Sequence, residues 1–258
     1  MAKHKSRSSA GRWLYTLAMV FCAVVFLVSG GILAHRFWQD QNEFQDLAAM
    51  IDTTTAPAAE GEDAPADNSA KFAALQARNP DFFGWISIEG TNLDFPVMYA
   101  PDNRDFYLRH DFDGQYSNYG VPYLDENCVV TGDNPSNNLV IYGHNMKTGT
   151  IFGCLTGYQE ADYYAKHPII RFDTIQGDGA YEVFAAFAID VVQDTGFAYN
   201  TYLNLDETAF DEFVQEVKSR SDVDSGITPV YGDQLLTLST CEYSTANGRY
   251  VVCARRVE

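Results

Sequence analysis

The sequence predicts a mainly β domain, built as a sandwich or a barrel, and two observations lead to this fold class. Eight short strand-like runs are separated by Gly, Asn and Asp, as is typical of strands joined by turns. One segment, 204–220, breaks this pattern with helical spacing. The strand-like runs cover residues 85–88, 93–98, 120–124, 138–144, 168–172, 180–192, 235–241 and 249–257.

The composition excludes two broad classes of protein. The 258 residues include 17 Phe and 16 Tyr, which is more aromatic surface than a wholly disordered chain leaves in water. The net charge of −18 argues against nucleic acid as a partner, because phosphate binding needs clustered cations. We therefore expect a folded domain with no nucleic-acid partner.

The N-terminal end has the pattern of a membrane anchor. Residues 1–12 carry four basic and no acidic side chains, and residues 13–34 carry no charge. As a helix, 13–34 is roughly 33 Å long, enough to cross the hydrocarbon core. The positive-inside rule then predicts a cytoplasmic stub at 1–12, a single transmembrane signal-anchor at 13–34 and an extracellular remainder. A cleaved signal peptide is the alternative, although Ile32-Leu33-Ala34 is a poor cleavage site.

Residues 35–70 are predicted to form a spacer, first helical and then acidic. Apolar side chains between residues 44 and 51 recur at the helical intervals i, i+3, i+4 and i+7. Residues 52–69 contain five acids, two prolines and no large apolar side chain, so they cannot bury enough surface to fold. The exported domain is therefore expected at 71–258.

Two helices are predicted inside this β-rich region. A short helix at 70–78 presents Phe72 and Leu75 and stops before Pro80. The longer helix, 204–220, lies between the sixth and seventh strands. We expect Asn204 as its N-cap, with Glu207 three residues later, and two basic residues near its C-terminal end.

Cys241 is a candidate nucleophile. It ends the apolar run 235–241, and seven loop residues separate it from Arg249, which opens the next strand. A hairpin of this length places Arg249 beside Cys241, where a guanidinium favours the thiolate and hydrogen-bonds a carbonyl oxygen that acquires charge. The alternative is a buried cysteine next to a surface arginine.

His144 is a candidate general acid or base. It follows the apolar strand at 139–142 and therefore lies at a strand end, where a titratable imidazole can serve a thiol nucleophile. A structural histidine is the alternative interpretation. His144 and Cys241 are 97 positions apart, so spacing alone does not bring them together.

The local sequences around these residues resemble the class B sortases, which are membrane-anchored cysteine transpeptidases of Gram-positive surfaces. The resemblance rests on Leu139-Val140-Ile141-Tyr142-Gly143-His144-Asn145-Met146, on Thr237-Leu238-Ser239-Thr240-Cys241 and on Arg249 eight residues later. It covers about residues 70–258. It implies a closed eight-stranded β-barrel with N-terminal helices and an extra helix between strands six and seven, so that 71–258 is a catalytic sortase barrel.

The resemblance also implies a mechanism and a set of partners. Cys241 would attack a threonine carbonyl in an NPxT-like C-terminal sorting signal of a surface protein, Arg249 would steady the oxyanion, and His144 would protonate the leaving amine. A cell-wall or pilin amine would then resolve the thioacyl-enzyme. Four further positions would line the peptide groove, with ordinary packing as the alternative: Ser239, Glu242, Tyr202 and Leu203.

Other interpretations remain open at this point. A thiol hydrolase would use the same residues with water in place of the amine, and an inactive binding module would not need all three. We expect no metal and no cofactor. We expect Cys128, Cys154 and Cys253 to be reduced thiols, with a Cys128–Cys154 bridge as the counter-hypothesis.

Overall fold

The computed structural model describes residues 9–51, 68–146 and 148–257, without the side chains of 9–12 and 32–43. Most of the predicted basic stub and of the acidic spacer lies outside these residues. The chain divides into two compact units, Met1–Leu47 and Ala48–Glu258, and each is described by itself.

The first unit contains a single described element, helix α1, which runs from Ser9 to Ala48. Its segment Trp13–Gly31 has a mean hydropathy of 2.1. By length and composition this segment is able to cross a membrane. The large apolar side chains along it are exposed, so nothing in the protein itself covers them.

The second unit is a closed β-barrel of eight strands in the order β1-β2-β3-β4-β7-β8-β6-β5. Neighbouring strands are antiparallel except for the pairs β2/β3 and β4/β7, which are parallel. The predicted strands are therefore confirmed, with shifted ends, and the architecture is a barrel rather than a sandwich. The strands are β1 Phe82–Ser87, β2 Asp94–Met98, β3 Tyr123–Leu124, β4 Asn138–Tyr142, β5 Ile169–Thr174, β6 Ala180–Asp190, β7 Leu235–Cys241 and β8 Gly248–Arg256.

Three α-helices and three short 3₁₀ helices accompany the barrel. Helix α2, Ser69–Arg78, matches the predicted short helix. Helix α3, Ala161–Lys166, was not apparent from the sequence because it is only six residues long and has no buried face. The 3₁₀ helices are Phe106–Leu108, Gly153–Gln159 and Tyr199–Thr201.

Helix α4, Glu207–Arg220, lies between β6 and β7 in the chain, as predicted, and packs on β6. Its apolar stripe joins side chains of β6, β7 and β8 in one buried cluster. Strand β7 is consequently buried along almost its whole length, on both faces. The stripe consists of Phe210, Phe213, Val214 and Val217.

The N-cap of α4 corrects the sequence prediction. Asn204 is exposed and lies outside the helix, whereas the carboxylate of Asp206 accepts a hydrogen bond of 2.9 Å from the backbone N–H of Ala209. Both residue types suit this position, and an N-cap side chain reaches the amide three residues on. The helix begins at Glu207 because Asp206 holds that amide.

Asp206→Ala is therefore expected to lower the free energy of unfolding by about 1 kcal/mol, because a buried helix loses its N-cap. In a domain of this size that corresponds to a fall of roughly 3 °C in Tm, measurable by thermal unfolding of the full chain in detergent. Asn204→Ala is the matched control and should leave Tm unchanged. Equal effects of the two substitutions would contradict the assignment.

Candidate active site

The strand arrangement brings the candidate catalytic residues to one rim of the barrel. Parallel neighbours β4 and β7 end at the same edge, and β8 starts there because it runs antiparallel to β7. Cys241 is the last residue of β7, and His144 follows the end of β4 by two residues. Arg249 is paired with Cys241 in the β7–β8 register, as the hairpin length predicts.

All three side chains line one cleft of about 320 Å³. Each of them is half-buried, so each contacts both the protein and solvent. The cleft also reaches polar and charged residues that no sequence motif marks. Its complete lining is Arg104, Asp105, Leu108, Tyr123, Glu126, Tyr142, Gly143, His144, Val191, Tyr199, Asn200, Ser239, Thr240, Cys241 and Arg249.

Hydrogen bonds continue between the two parallel strands beyond their last paired residues. The N–H of Gly143 donates to the carbonyl of Ser239 at 3.1 Å. In return, the hydroxyl of Thr240 donates to the carbonyl of Gly143 at 2.7 Å. A Cβ at Gly143 would lie 2.7 Å from the ring of Phe152, so only glycine allows this packing beneath His144. These contacts hold the backbone next to His144 against the backbone next to Cys241.

The imidazole of His144 is oriented by the main chain. Its Nε2 lies 2.9 Å from the carbonyl oxygen of Leu108, which is the last residue of the first 3₁₀ helix. Because a carbonyl oxygen only accepts, Nε2 carries the hydrogen, and Nδ1 is the nitrogen left to exchange a proton. Burial lowers the pKa of His144 below its ordinary value of 6.5, the bond to Leu108 opposes this, and the charge of Arg109 lowers it further.

The guanidinium of Arg249 is not neutralised by an acid. Its Nη1 donates to the carbonyl of Gly248 at 2.9 Å, and among the residues that the structure describes no carboxylate forms an ion pair with it. Its positive charge therefore remains available to an anion in the cleft.

The four residues predicted to line a peptide groove lie in different surroundings. Ser239 lines the cleft, is buried and shares a hydrogen bond of 2.7 Å with the hydroxyl of Tyr199. Glu242 lies just past the cleft-lining Cys241, and its carboxylate accepts from the N–H of Ser244 at 2.9 Å. The ring of Tyr202 packs 5.3 Å from that of Phe213 on α4.

Leu203, the fourth of these residues, is buried, and its carbonyl accepts from the N–H of Asn138 at 3.1 Å. In place of Tyr202 and Leu203, the structure brings Tyr199 and Asn200 into the cleft. Both belong to the third 3₁₀ helix, whose short, irregular backbone has no hydrophobic period to reveal it in the sequence.

The remaining cysteines differ from Cys241 in their surroundings. All five cysteines are free, which confirms the predicted thiols and excludes a Cys128–Cys154 bridge. Burial raises the pKa of Cys128 and of Cys253 to about 12, so both thiols stay protonated and unreactive at neutral pH. Within the described residues no cluster of three or more His, Cys, Asp or Glu is able to hold a metal ion.

Comparisons with known proteins agree with this geometry. A family model for the sortase domain matches residues 86–257. Sortase B of Staphylococcus aureus is 27% identical over 94% of this chain and 96% of its own length. Sortase B of Listeria monocytogenes is 31% identical over 71% of this chain and 72% of its own length.

Solved structures show the same barrel. The Staphylococcus aureus sortase B-substrate complex superposes with a TM-score of 0.73 at 27% identity and covers 87% of this chain and 99% of the solved one. Sortase B of Clostridium perfringens gives a TM-score of 0.65 at 29% identity, covering 72% and 99%. With a sortase-domain match over about two thirds of its length and class B relatives in both sequence and structure, this chain belongs to the class B sortases, which are cysteine transpeptidases.

Proposed function

We propose that this transpeptidase cleaves an NPxT-like sorting signal after its threonine and transfers the surface protein to a cell-wall or pilin amine. The observation that carries the proposal is the single cleft lined by Cys241, His144 and Arg249 at one rim of the barrel. A thiol, a titratable imidazole and an unneutralised guanidinium are the groups that acyl transfer through a thioester requires.

In the first half-reaction the thiolate of Cys241 attacks the threonine carbonyl carbon. The carbonyl oxygen acquires negative charge, and Arg249 stabilises it because its guanidinium has no competing carboxylate among the described residues. The C–N bond then breaks, and the leaving amine takes the proton from Nδ1 of the His144 imidazolium. The products are a thioacyl-enzyme and a free amine.

In the second half-reaction an acceptor amine attacks the thioester. Nδ1 of His144 now takes a proton from that amine, a new C–N bond forms, and the Cys241 thiolate leaves. Support for both reactants comes from relatives: one sortase B is solved in a complex with a substrate, and another is complexed with triglycine, which carries a primary amine. Water in place of the amine would give hydrolysis at the same site.

An assay with quenched sorting-signal peptides and an amine tests both outcomes. The full chain in detergent should cleave at least one NPxT-like peptide and form the amine adduct, identified by its mass. Cys241→Ala should abolish both, and Arg249→Ala should lower kcat by roughly 100- to 1000-fold, as the loss of an oxyanion donor does in other acyl transferases. Cys253→Ala is the matched thiol control and should retain activity.

Unchanged cleavage by Cys241→Ala would refute the nucleophile. Cleavage that gives only the hydrolysed peptide at saturating amine would favour the thiol hydrolase.

The pH profile tests the role of His144. The productive site shares one proton between the thiol and the imidazole, so kcat/KM falls on the acid side as His144 becomes charged. Because burial and Arg109 lower the pKa of His144, this acid limb should lie below pH 6.5. Arg109→Gln removes a cation, raises the pKa of His144 and should therefore move the limb to higher pH, less so at high salt.

Arg171→Gln is the control for the pH experiment. It removes the same charge from an exposed residue on β5, whose neighbours in the barrel are β1 and β6. Its acid limb should coincide with that of the unaltered protein. An equal shift in both variants would mean that net charge, not the charge beside His144, sets the profile.

We propose that residues 1–12 are cytoplasmic, 13–34 span the cell membrane once, 35–70 form a spacer and 71–258 form the extracellular catalytic domain. The exposed apolar segment of α1 supports the anchor. The full chain should remain with membranes through a carbonate wash and leave them only in detergent, whereas a chain without residues 1–34 should not. Protease added to intact protoplasts should digest the catalytic domain. A shortened chain released into the medium would instead indicate a cleaved signal peptide.

A further inference from the structure

We infer that Asn145 is a positioning residue for acyl transfer: its carboxamide holds the main chain of Cys241 at a set distance from His144. The inference rests on the proposed function, because it assumes that Cys241 and His144 work as a pair. Nothing in the reaction requires an amide at this place, and Asn145 is not among the residues that line the cleft. Its role follows from the hydrogen bonds it makes.

Asn145 forms the last of three bonds between the two parallel strand ends. The first two join Gly143 to Ser239 and to Thr240. Beyond them, Nδ2 of Asn145 donates to the carbonyl oxygen of Cys241 at 2.8 Å. The residues on both sides of His144 are thus bonded to the β7 end, and the Asn145 bond is the one made to Cys241 itself.

The backbone that carries Asn145 is itself fixed. Asn145 forms an isolated antiparallel bridge with Ile151, and the carbonyl of His144 accepts from the N–H of Phe152 at 3.0 Å. Ile151 is buried and has a φ of 56°, which is costly for a β-branched residue and persists only where the surroundings hold it. Asn145 therefore donates from a rigid support, so the bond restrains Cys241 rather than following it.

Loss of this bond has a chemical consequence. The ladder between β4 and β7 ends at Tyr142 and Ser239, so the ladder itself does not restrain the Cys241 carbonyl. A displacement of a reacting group by about 1 Å costs up to roughly 100-fold in rate. Without the carboxamide, the thiol of Cys241 is held less closely against the imidazole, while the peptide-binding surface of the cleft is unaltered.

Two substitutions test the inference in the full chain in detergent. Asn145→Ala removes the donor, and Asn145→Asp keeps the shape but presents a carboxylate that cannot donate to a carbonyl. Both should lower kcat by about 10- to 100-fold with KM within about twofold of the unaltered protein, because only the reacting groups are displaced. Tyr243→Phe removes a different bond of Asn145, from an exposed hydroxyl to its backbone carbonyl, and should leave kcat unchanged.

A double-mutant cycle separates positioning from a merely structural role. Alkylation of Cys241 by iodoacetamide at pH 7 is followed by mass spectrometry in the unaltered protein, Asn145→Ala, His144→Ala and the double variant. Asn145→Ala should slow alkylation severalfold where His144 is present and have no further effect where it is absent. Equal slowing in both backgrounds, or unchanged kcat in both Asn145 variants, would overturn the inference.

The same measurements keep the inference distinct from the proposed function. If the unaltered protein cleaves no peptide, the proposed function fails, while the alkylation cycle still reports whether Asn145 acts through His144. If it cleaves and the cycle shows no coupling, the proposed function stands and the positioning role of Asn145 is wrong.

Discussion

The parallel pairing of β4 with β7 is the constraint on which the rest of the site depends. Because parallel neighbours end at the same edge, the residues that follow Tyr142 and those that follow Ser239 open onto one rim. An antiparallel partner of the same length would place His144 at the opposite end of the seven-residue strand β7, roughly 20 Å away. The tight β7–β8 hairpin then adds Arg249 to the same rim.

The chemistry of the site follows from where the rim leaves each side chain. Cys253 lies on β8 four residues beyond Arg249, fully buried, and burial raises the pKa of its thiol to about 12. Cys241 is only half-buried and faces the imidazole and the guanidinium across the cleft. Two cysteines on paired strands thus have opposite properties, and the difference comes from their depth in the barrel rather than from residue type.

Helix α4 makes the frame of the site rigid. By packing on β6 it buries the outer faces of strands that would otherwise contact water, and β6, β7 and β8 are buried on both sides as a result. A site held by such strands keeps its geometry without the substrate. The parts of the cleft built from loops and 3₁₀ turns, such as Leu108 and Tyr199, are fixed instead by single hydrogen bonds to His144 and Ser239.

The sequence by itself determined the features that depend on near neighbours. These are the strand pattern, the apolar stripe of α4, the apolar helix at the N-terminus and the pairing of Cys241 with Arg249, since one short loop sets that register. Local motifs also identified His144. Only the tertiary structure decided that His144 meets Cys241, that Leu108 orients its ring and that Asp206 caps α4. The first two are contacts between residues far apart in the chain, whose distance is set by the closure of the barrel, and the third is a choice between two equally suitable residues that only packing resolves.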